Sequence, residues 1–286
     1  MVAPTARCGD AQSNGSIMPV LKLQDADIPY KVFGQGPPLL FLAATAWRGA
    51  MWELHQVPEF SRDHQVIVFD QRGTGSSVVR SNDFSTRRLA EDAVALLDHL
   101  GVQRAIVCGH SNGGRVAQMI ALDFPDRVEK LILASAGGTH SSQGIPLKMC
   151  IELVEKGYEA HIRRGAIETG CTKAFYAAHP DRVEAFLKVR TAELPSLEHY
   201  LRHVIGRAES DVSSRMSEIR VPTLVMVGDD EDHGSVTGDS HLDFAKMMAR
   251  GIANAKFVIL PGEGHHYPFY SPEKTNKIIR DFLAGN

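Results

Sequence analysis

Residues 105–114 read Ala-Ile-Val-Cys-Gly-His-Ser-Asn-Gly-Gly, an apolar run that leads into a serine flanked by glycines. The run Ala105–Cys108 is typical of a buried strand, and the Ala/Met/Ile/Leu pattern after Gly114 is typical of a helix. A serine at such a junction lies in a tight turn that lifts its hydroxyl clear of the sheet, and glycines avoid a Cβ clash where strand and helix meet. The free amides at the helix start also favour a developing negative charge. The stretch therefore predicts that Ser111 is a nucleophile.

Similar apolar runs recur on both sides of this stretch. They have the continuous character of parallel strands buried on both faces, and they are Leu39–Leu42, Gln65–Phe69, Val128–Leu133, Thr223–Val227 and Lys256–Leu260. Helical patterns lie between them, such as the one that begins at Ser85 or Thr86 and stops at Gly101. Strands that alternate with helices predict an α/β fold, with a mostly parallel central sheet flanked by helices.

The pattern changes in the middle of the chain. Residues 139–219 contain no strand-like run and are helical in pattern, rich in Glu, Lys, Arg and His. We expect this segment to be a helical cap inserted between two parts of an α/β core, residues 20–138 and 220–286. Residues 1–19 are small and polar, and predict a loose N-terminal arm without the apolar segment of a signal peptide.

Composition narrows the classes of function. Of 286 residues, 43% are hydrophobic and 23% charged, and the net charge of −3 is spread without a basic stripe, so no nucleic-acid partner is expected. No apolar stretch approaches the ~20 residues that a membrane span needs. Cysteines 8, 108, 150 and 171 fall in no paired or metal-type spacing, which favours reduced thiols and a cytoplasmic location. We expect a monomer or homodimer whose partner is a small-molecule substrate.

A serine nucleophile needs a base, and the candidate follows the last predicted strand. The loop there reads Pro261-Gly-Glu-Gly-His265-His266. A histidine on a glycine-rich loop at the carboxyl end of a strand can reach the nucleophile across the sheet edge. We therefore expect His265 to be the base and His266 to pack beside it or contact substrate.

The third group of such a triad is an acid that orients the base, and it lies between serine and histidine in the chain. Residues 228–233 read Gly-Asp-Asp-Glu-Asp-His and follow a predicted strand. They supply several carboxylates where one is needed, so Asp230, Glu231 and Asp232 all remain candidates. Together with His233 and His241 they show no tight metal-ligand spacing, and we expect neither a metal nor another cofactor.

These features resemble the α/β-hydrolase superfamily, in its cap-bearing serine esterase and lactonase branch that includes the 3-oxoadipate enol-lactonase-like proteins. The resemblance also covers the turn Asp70-Gln-Arg-Gly-Thr-Gly-Ser76 and the link Phe124-Pro-Asp-Arg-Val128. It implies that Ser111 is the nucleophile, His265 the general base and Glu231 the acid. The side chains of Asp70, Gln71 and Arg72 are expected to hold a turn near the site.

The resemblance also implies an oxyanion hole of two backbone amides. One belongs to Asn112, the residue after the nucleophile. The other comes from the loop after Leu39–Leu42, where a His-Gly pair is common in the family but this chain reads Ala43-Ala-Thr-Ala-Trp47. A backbone donor needs no particular side chain, so either Ala44 or Thr45 can supply it, and we take Thr45.

The expected function is hydrolysis of an ester, lactone or thioester bond of a small, partly apolar molecule. Trp47 and Trp52, with His55 after them, are candidate pocket residues, and Phe175 and Tyr176 are candidates for its roof in the cap. Two alternatives stay open because fold does not settle function. One is a cofactor-free lyase, dioxygenase or C–C bond hydrolase on the same fold, and the other is a slow-turnover ligand receptor.

Overall fold

The structure is a computed structural model that describes residues 18–137, 147–229 and 240–285. Nearly all of the predicted N-terminal arm lies outside the described residues. The same is true of the acid candidates Asp230, Glu231 and Asp232, and of His233.

The described strands form one twisted sheet. They are β1 (Val20–Lys22), β2 (Ala26–Phe33), β3 (Pro38–Leu42), β4 (Gln65–Phe69), β5 (Val78–Val79), β6 (Ala105–His110), β7 (Val128–Ala134), β8 (Thr223–Gly228) and β9 (Ala255–Leu260). Their order is β1-β2-β4-β3-β6-β7-β8-β9, with β5 paired to β2. Neighbours from β4 to β9 are parallel, whereas β2 is antiparallel to β1, β4 and β5. The apolar runs predicted to be strands are therefore confirmed.

The helices lie against both faces of this sheet and above one of its edges. They are α1 (Gln56–Phe60), α2 (Thr86–His99), α3 (Asn112–Asp123), α4 (Leu147–Lys156), α5 (Tyr158–Arg164), α6 (Lys173–Ala178), α7 (Pro180–Ala192), α8 (Leu197–Ala208), α9 (His241–Gly251), α10 (Tyr267–Tyr270) and α11 (Pro272–Leu283). None of the described helices has both the length and the apolar character needed to cross a bilayer.

Alternation along the strands divides the core in two. In β3, Leu40 and Leu42 pack with α2 and α3 on one face, while Leu39 and Phe41 pack on the other face. This follows from the two-residue period of a strand, which sends successive side chains to opposite faces of the sheet. Because both faces are covered, the strand is apolar throughout, and its carboxyl end reaches the edge where β6 also ends.

Helices α4–α8, which we call the cap, lie between β7 and β8, and no strand occurs in residues 147–222. The cap has a small apolar cluster of its own, in which Met149, Ile162, Tyr200 and Val204 pack together with Ala46. Ala46 belongs to the loop after β3. The cap therefore packs directly on the loop that follows β3.

A buried arginine fixes the turn after β4, as the sequence predicts. Arg72 is fully buried, and its guanidinium makes two hydrogen bonds to Asp92 at 2.7 and 2.9 Å and one to Asp25 at 3.2 Å. Its backbone carbonyl accepts a hydrogen bond from His203 Nε2 of the cap at 2.9 Å. The turn thus joins the sheet, α2 and the cap.

Candidate active site

Ser111 lies at the junction of β6 and α3 in a backbone conformation that non-glycine residues rarely adopt. Its φ is +55° and its ψ is −116°. Its amide donates to the carbonyl of Ala134 at 2.9 Å, and its own carbonyl accepts from Gly114 at 3.0 Å. Strain of this kind is held at functional sites by surrounding bonds. The side chain is half-buried, whereas His110 and Asn112 on either side are buried.

Two glycines make this turn possible, as the sequence predicts. A Cβ on Gly109 would overlap the carbonyl of Gly113, and a Cβ on Gly113 would overlap the carbonyl oxygen of Leu42. The backbone of Gly113 therefore lies directly against the end of β3. This contact brings the first turn of α3 beside the loop that follows β3.

The structure places His265 close to this junction. Its loop follows β9, and its amide donates to the carbonyl of Thr169 at 3.0 Å. The imidazole is buried, with its ring centroid 4.9 Å from that of His110 and 4.3 Å from that of His241. His265 is thus brought beside the residue that precedes Ser111, although the two are far apart in the chain.

The tautomer of His110 follows from its hydrogen bond. Its Nδ1 lies 3.2 Å from the carbonyl oxygen of Ala134, which can only accept, so Nδ1 carries the proton. Its Nε2 is therefore a buried acceptor without a hydrogen-bond partner among the described residues, and Nδ1 of His266 is likewise buried without one. Burial holds the pKa of both imidazoles well below the ordinary value, so both are neutral at pH 7.

The nitrogens of His110, His265 and His266 lie within 4.8 Å of one another, and among the described residues they are the only group spaced to hold a metal ion. Neutral imidazoles are good ligands for zinc and similar ions. A base that binds a metal through its free nitrogen no longer accepts a proton from serine. The expectation of a metal-free site therefore stays a prediction.

The loop after β3, which is predicted to supply an oxyanion donor, contains a tight turn. Ala46 has a φ of +56°, and the amide of Trp47 closes a turn onto the carbonyl of Ala44 at 3.1 Å. The hydroxyl of Thr45 accepts a hydrogen bond from Arg207 of the cap at 2.9 Å. Asn112 opens α3, and its buried side-chain amide has no hydrogen-bond partner among the described residues.

Two side chains of the turn after β4 hold the backbone of this loop and of the segment that follows it. The side-chain amide of Gln71 donates to the carbonyl of Ala43 at 2.9 Å, and the carboxylate of Asp70 accepts from the amide of Gly49 at 2.9 Å. Burial raises the pKa of Asp70 above its ordinary value, against the lowering effect of its backbone hydrogen bonds. The sequence predicts a structural role for these residues, but not that Gln71 holds the loop after β3.

Aromatic side chains line the space beside the histidines. The ring of Trp47 lies 5.5 Å from His110, 5.0 Å from His266 and 5.2 Å from Phe186 of α7. Trp52 lies deeper, fully buried between Phe41 and Phe269, a position that favours core packing. Its predicted contact with substrate stays a prediction.

The other predicted pocket residues lie nearer the surface. His55 is half-buried, and Phe175 stacks on Tyr270 with ring centroids 5.7 Å apart. Tyr176 is also half-buried. Phe186 and Arg190 of α7 lie beside Trp47, and Phe186 also stacks on His266. Sequence reasoning missed both, because the pattern of a helix does not show what its buried face packs against.

The loop that carries the acid candidates begins next to the histidine loop. Asp229 is the last described residue before them, and its carboxylate accepts a hydrogen bond from the amide of Gly262 at 2.6 Å. Gly262 lies three residues before His265. Asp229 is therefore held directly against the loop that contains His265.

Comparisons with known proteins agree with this architecture. A family model described as alpha/beta hydrolase fold matches residues 37–153. The chain is 31% identical to 3-oxoadipate enol-lactonase 2 of Acinetobacter baylyi over 73% of its own length and 77% of that protein. It is 28% identical to a protein of Azorhizobium caulinodans named as a carbamate hydrolase, RutD, over 93% and 98% of the two chains.

Solved structures give the same result. The chain superposes on Est816, described as an N-acyl homoserine lactone degrading enzyme, with a TM-score of 0.78 and 28% identity over 92% of this chain and 100% of that one. The enol-lactonase of Burkholderia xenovorans LB400 gives a TM-score of 0.80 at 21% identity, over 93% and 100% of the two chains, which shows a shared fold. The chain is a hydrolase and belongs to the α/β hydrolase family.

Proposed function

We propose that the chain is a serine hydrolase that cleaves an ester or lactone bond of a small, partly apolar molecule through an acyl-enzyme. The observation that carries the proposal is the strained, half-buried Ser111 with the His265 loop folded beside it. Ser111 and His265 are far apart in the chain, and a serine nucleophile needs a base of this kind beside it to be activated.

The reaction follows from these groups. The hydroxyl oxygen of Ser111 attacks the carbonyl carbon while His265 takes its proton, and Glu231 stabilises the resulting imidazolium. The amides of Asn112 and Thr45 bind the oxyanion. The tetrahedral intermediate collapses, and the leaving alkoxide receives the proton from His265. Water, activated by the same histidine, then releases the acid from Ser111.

The surroundings support a small and partly apolar substrate. Trp47, Phe186 and His266 form an aromatic wall next to His110. The cap helices lie over the oxyanion loop, because Ala46 packs within the cap's cluster. A covered site of this kind favours a small molecule over a polymer.

The names of the relatives support cleavage of an ester or lactone bond. Their names describe an enol-lactonase and an enzyme that degrades acyl homoserine lactones. A carbamate is a second candidate, favoured by the similarity to RutD over nearly the whole chain. A thioester has an equally attackable carbonyl.

The test is covalent labelling of Ser111. We expect a fluorophosphonate to label the wild type and the control Ser76→Ala, whose hydroxyl lies on the surface. We expect Ser111→Ala to lose both the label and at least ~10⁴-fold of turnover on p-nitrophenyl esters and simple lactones. Full turnover by Ser111→Ala would contradict acyl-enzyme chemistry in favour of a lyase or oxygenase, and tight binding without turnover would favour a receptor.

A further inference from the structure

Helix α7 presents one side to the site, and a charge interrupts that side. Its buried residues are Val183, Phe186, Leu187 and Arg190, which recur at the spacing of a single helical face. The first three are apolar and belong to the core. Arg190 is only 5% exposed. A guanidinium thus occupies a position where the pattern calls for an apolar side chain.

The guanidinium of Arg190 has no carboxylate partner among the described residues. Burial disfavours the charged guanidinium and so lowers the pKa of Arg190. The hydroxyl oxygens of Tyr158 and Tyr200 act in the opposite direction and raise it. Both hydroxyls are neutral at pH 7, since burial raises the pKa of Tyr158 to about 12 and raises that of Tyr200 as well. A buried cation without a counter-ion is unfavourable, because burial removes its hydration and no opposite charge replaces it.

Two carboxylates of the cap region, Glu193 and Glu152, already have cationic partners. Glu193, three residues further along, pairs with Arg48 at 2.6 Å. Glu152 pairs with Arg164 and accepts a hydrogen bond from His161. The nearby negative charges are therefore matched to other cations.

The position of Arg190 links it to the nucleophile. Its guanidinium carbon lies 5.8 Å from the centroid of the Trp47 ring, over its face. The centroid of the same ring lies 5.5 Å from that of His110 and 5.0 Å from that of His266. Phe186, one turn earlier on α7, stacks on His266. The cation is thus about one aromatic ring away from the residues that surround Ser111.

We propose that Arg190 binds a carboxylate of the substrate, so that the natural substrate is an anionic ester or lactone. The proposal rests on the proposed function, because the carboxylate is held while Ser111 attacks the carbonyl at the other end. The planar guanidinium matches a carboxylate with two parallel N–H···O bonds. The face of Trp47 supports the cation by a cation–π contact. The bound anion then supplies a counter-ion that the described residues do not provide.

The experiment compares two esters that differ only in charge. The anionic probes are p-nitrophenyl monoesters of pimelic and suberic acid, whose chains are too long for the free carboxylate to attack its own ester readily. The neutral probes are the same esters with the far carboxyl capped as a methyl ester. We expect the wild type to prefer the anionic member by about 10-fold or more in kcat/KM.

The variants separate recognition from folding. We expect Arg190→Met to lose about 10²-fold on the anionic probe and less than about 3-fold on the neutral one, and Arg190→Lys to recover part of the loss. Arg182→Met is the matched control, since Arg182 is a half-buried arginine of the same helix that is already paired with Glu273. We expect it to keep the wild-type preference.

Several results would overturn the proposal. A wild type without preference for the anionic probe would do so, and so would an Arg190→Met enzyme that loses both activities equally, because that indicates a structural role. If Arg190→Met does not fold, inhibition of the wild-type enzyme provides the test. We expect monomethyl pimelate to inhibit at least about 10-fold more strongly than dimethyl pimelate. Equal inhibition by the two compounds would contradict the inference. Turnover of the neutral probe and labelling of Ser111 test the proposed function separately.

Discussion

The side-chain amide of Gln71 donates a hydrogen bond to the carbonyl of Ala43 at 2.9 Å. Both residues are buried, and they belong to the turns that follow β4 and β3. Ala43 opens the loop whose amide is proposed to complete the oxyanion hole. A side chain outside the site therefore fixes the orientation of a backbone group within it.

We expect Gln71→Ala to lower kcat by about 10- to 100-fold with little change in KM. Loss of an oxyanion donor typically costs ~10²–10³ in rate, and a displaced donor costs part of that. Steady-state kinetics on a neutral p-nitrophenyl ester measure the effect, with the exposed Gln35→Ala as control. An unchanged kcat in Gln71→Ala would show that the loop keeps its orientation without this bond.

The acid of the triad is tested by three conservative variants. We expect Glu231→Gln to lose at least ~10³-fold in kcat, because the imidazolium of His265 is then no longer stabilised by a charge. Asp230→Asn and Asp232→Asn should stay within about 10-fold of the wild type, since a triad needs only one acid to orient the base. A full-rate Glu231→Gln enzyme would transfer the role to whichever neighbour then shows the loss.

The sequence was sufficient to predict the strands and the turn at Ser111, because each of these depends on a local pattern of residues. The run before Ser111, the glycines around it and the apolar strands were predicted because each follows from chain geometry that neighbours cannot override. The cap was different. Its helix α7 has buried residues of mixed chemistry, and only the packing of Phe186 on His266 shows which face meets the site.

Other features depend on contacts between distant segments. The bond between Gln71 and Ala43 spans 28 residues, and the hydrogen bond of Arg207 to Thr45 spans 162. No periodicity in the chain encodes such pairs. The clash that a Cβ on Gly113 would make with Leu42 belongs to the same class.

Buried neutral histidines predict a loss of stability in acid. His203 is fully buried and burial lowers its pKa to about 4, from an ordinary 6.5. Between these values the unfolded chain binds a proton at this histidine and the folded chain does not. Stability therefore falls as pH drops from 6.5 towards 4, by about 1.4 kcal/mol per pH unit for one such group.

Urea unfolding from pH 7 to pH 4.5 measures this slope. We expect His203→Gln to reduce it by about one proton, whereas His179→Gln, which changes an exposed histidine, should leave it unchanged. The buried His110 and His266 should maintain part of the slope in both variants, because their pKa values are also lowered. An identical slope in His203→Gln and the wild type would mean that His203 takes up a proton without unfolding.

A pair of glycine substitutions tests how closely the nucleophile turn packs on the oxyanion loop. In Gly113→Ala the new methyl group would overlap the carbonyl oxygens of Leu42 and Ala43, which are backbone atoms and cannot rotate away. In Gly165→Ala the methyl group would have no heavy atom within 4 Å. Both changes add one carbon, so they differ only in what that carbon meets.

We expect Gly113→Ala to lose about 10²-fold in kcat and in the rate of fluorophosphonate labelling, because displacements near 1 Å cost that much at a reacting centre. Gly165→Ala should keep full activity and gain up to about 1 kcal/mol in the free energy of unfolding, since alanine loses less backbone entropy than glycine in a helix. Labelling kinetics and urea unfolding on the same samples separate the two effects. If Gly113→Ala labelled at the wild-type rate, the contact with β3 would be too loose to position an oxyanion donor, and the second amide would have to come from elsewhere in the chain.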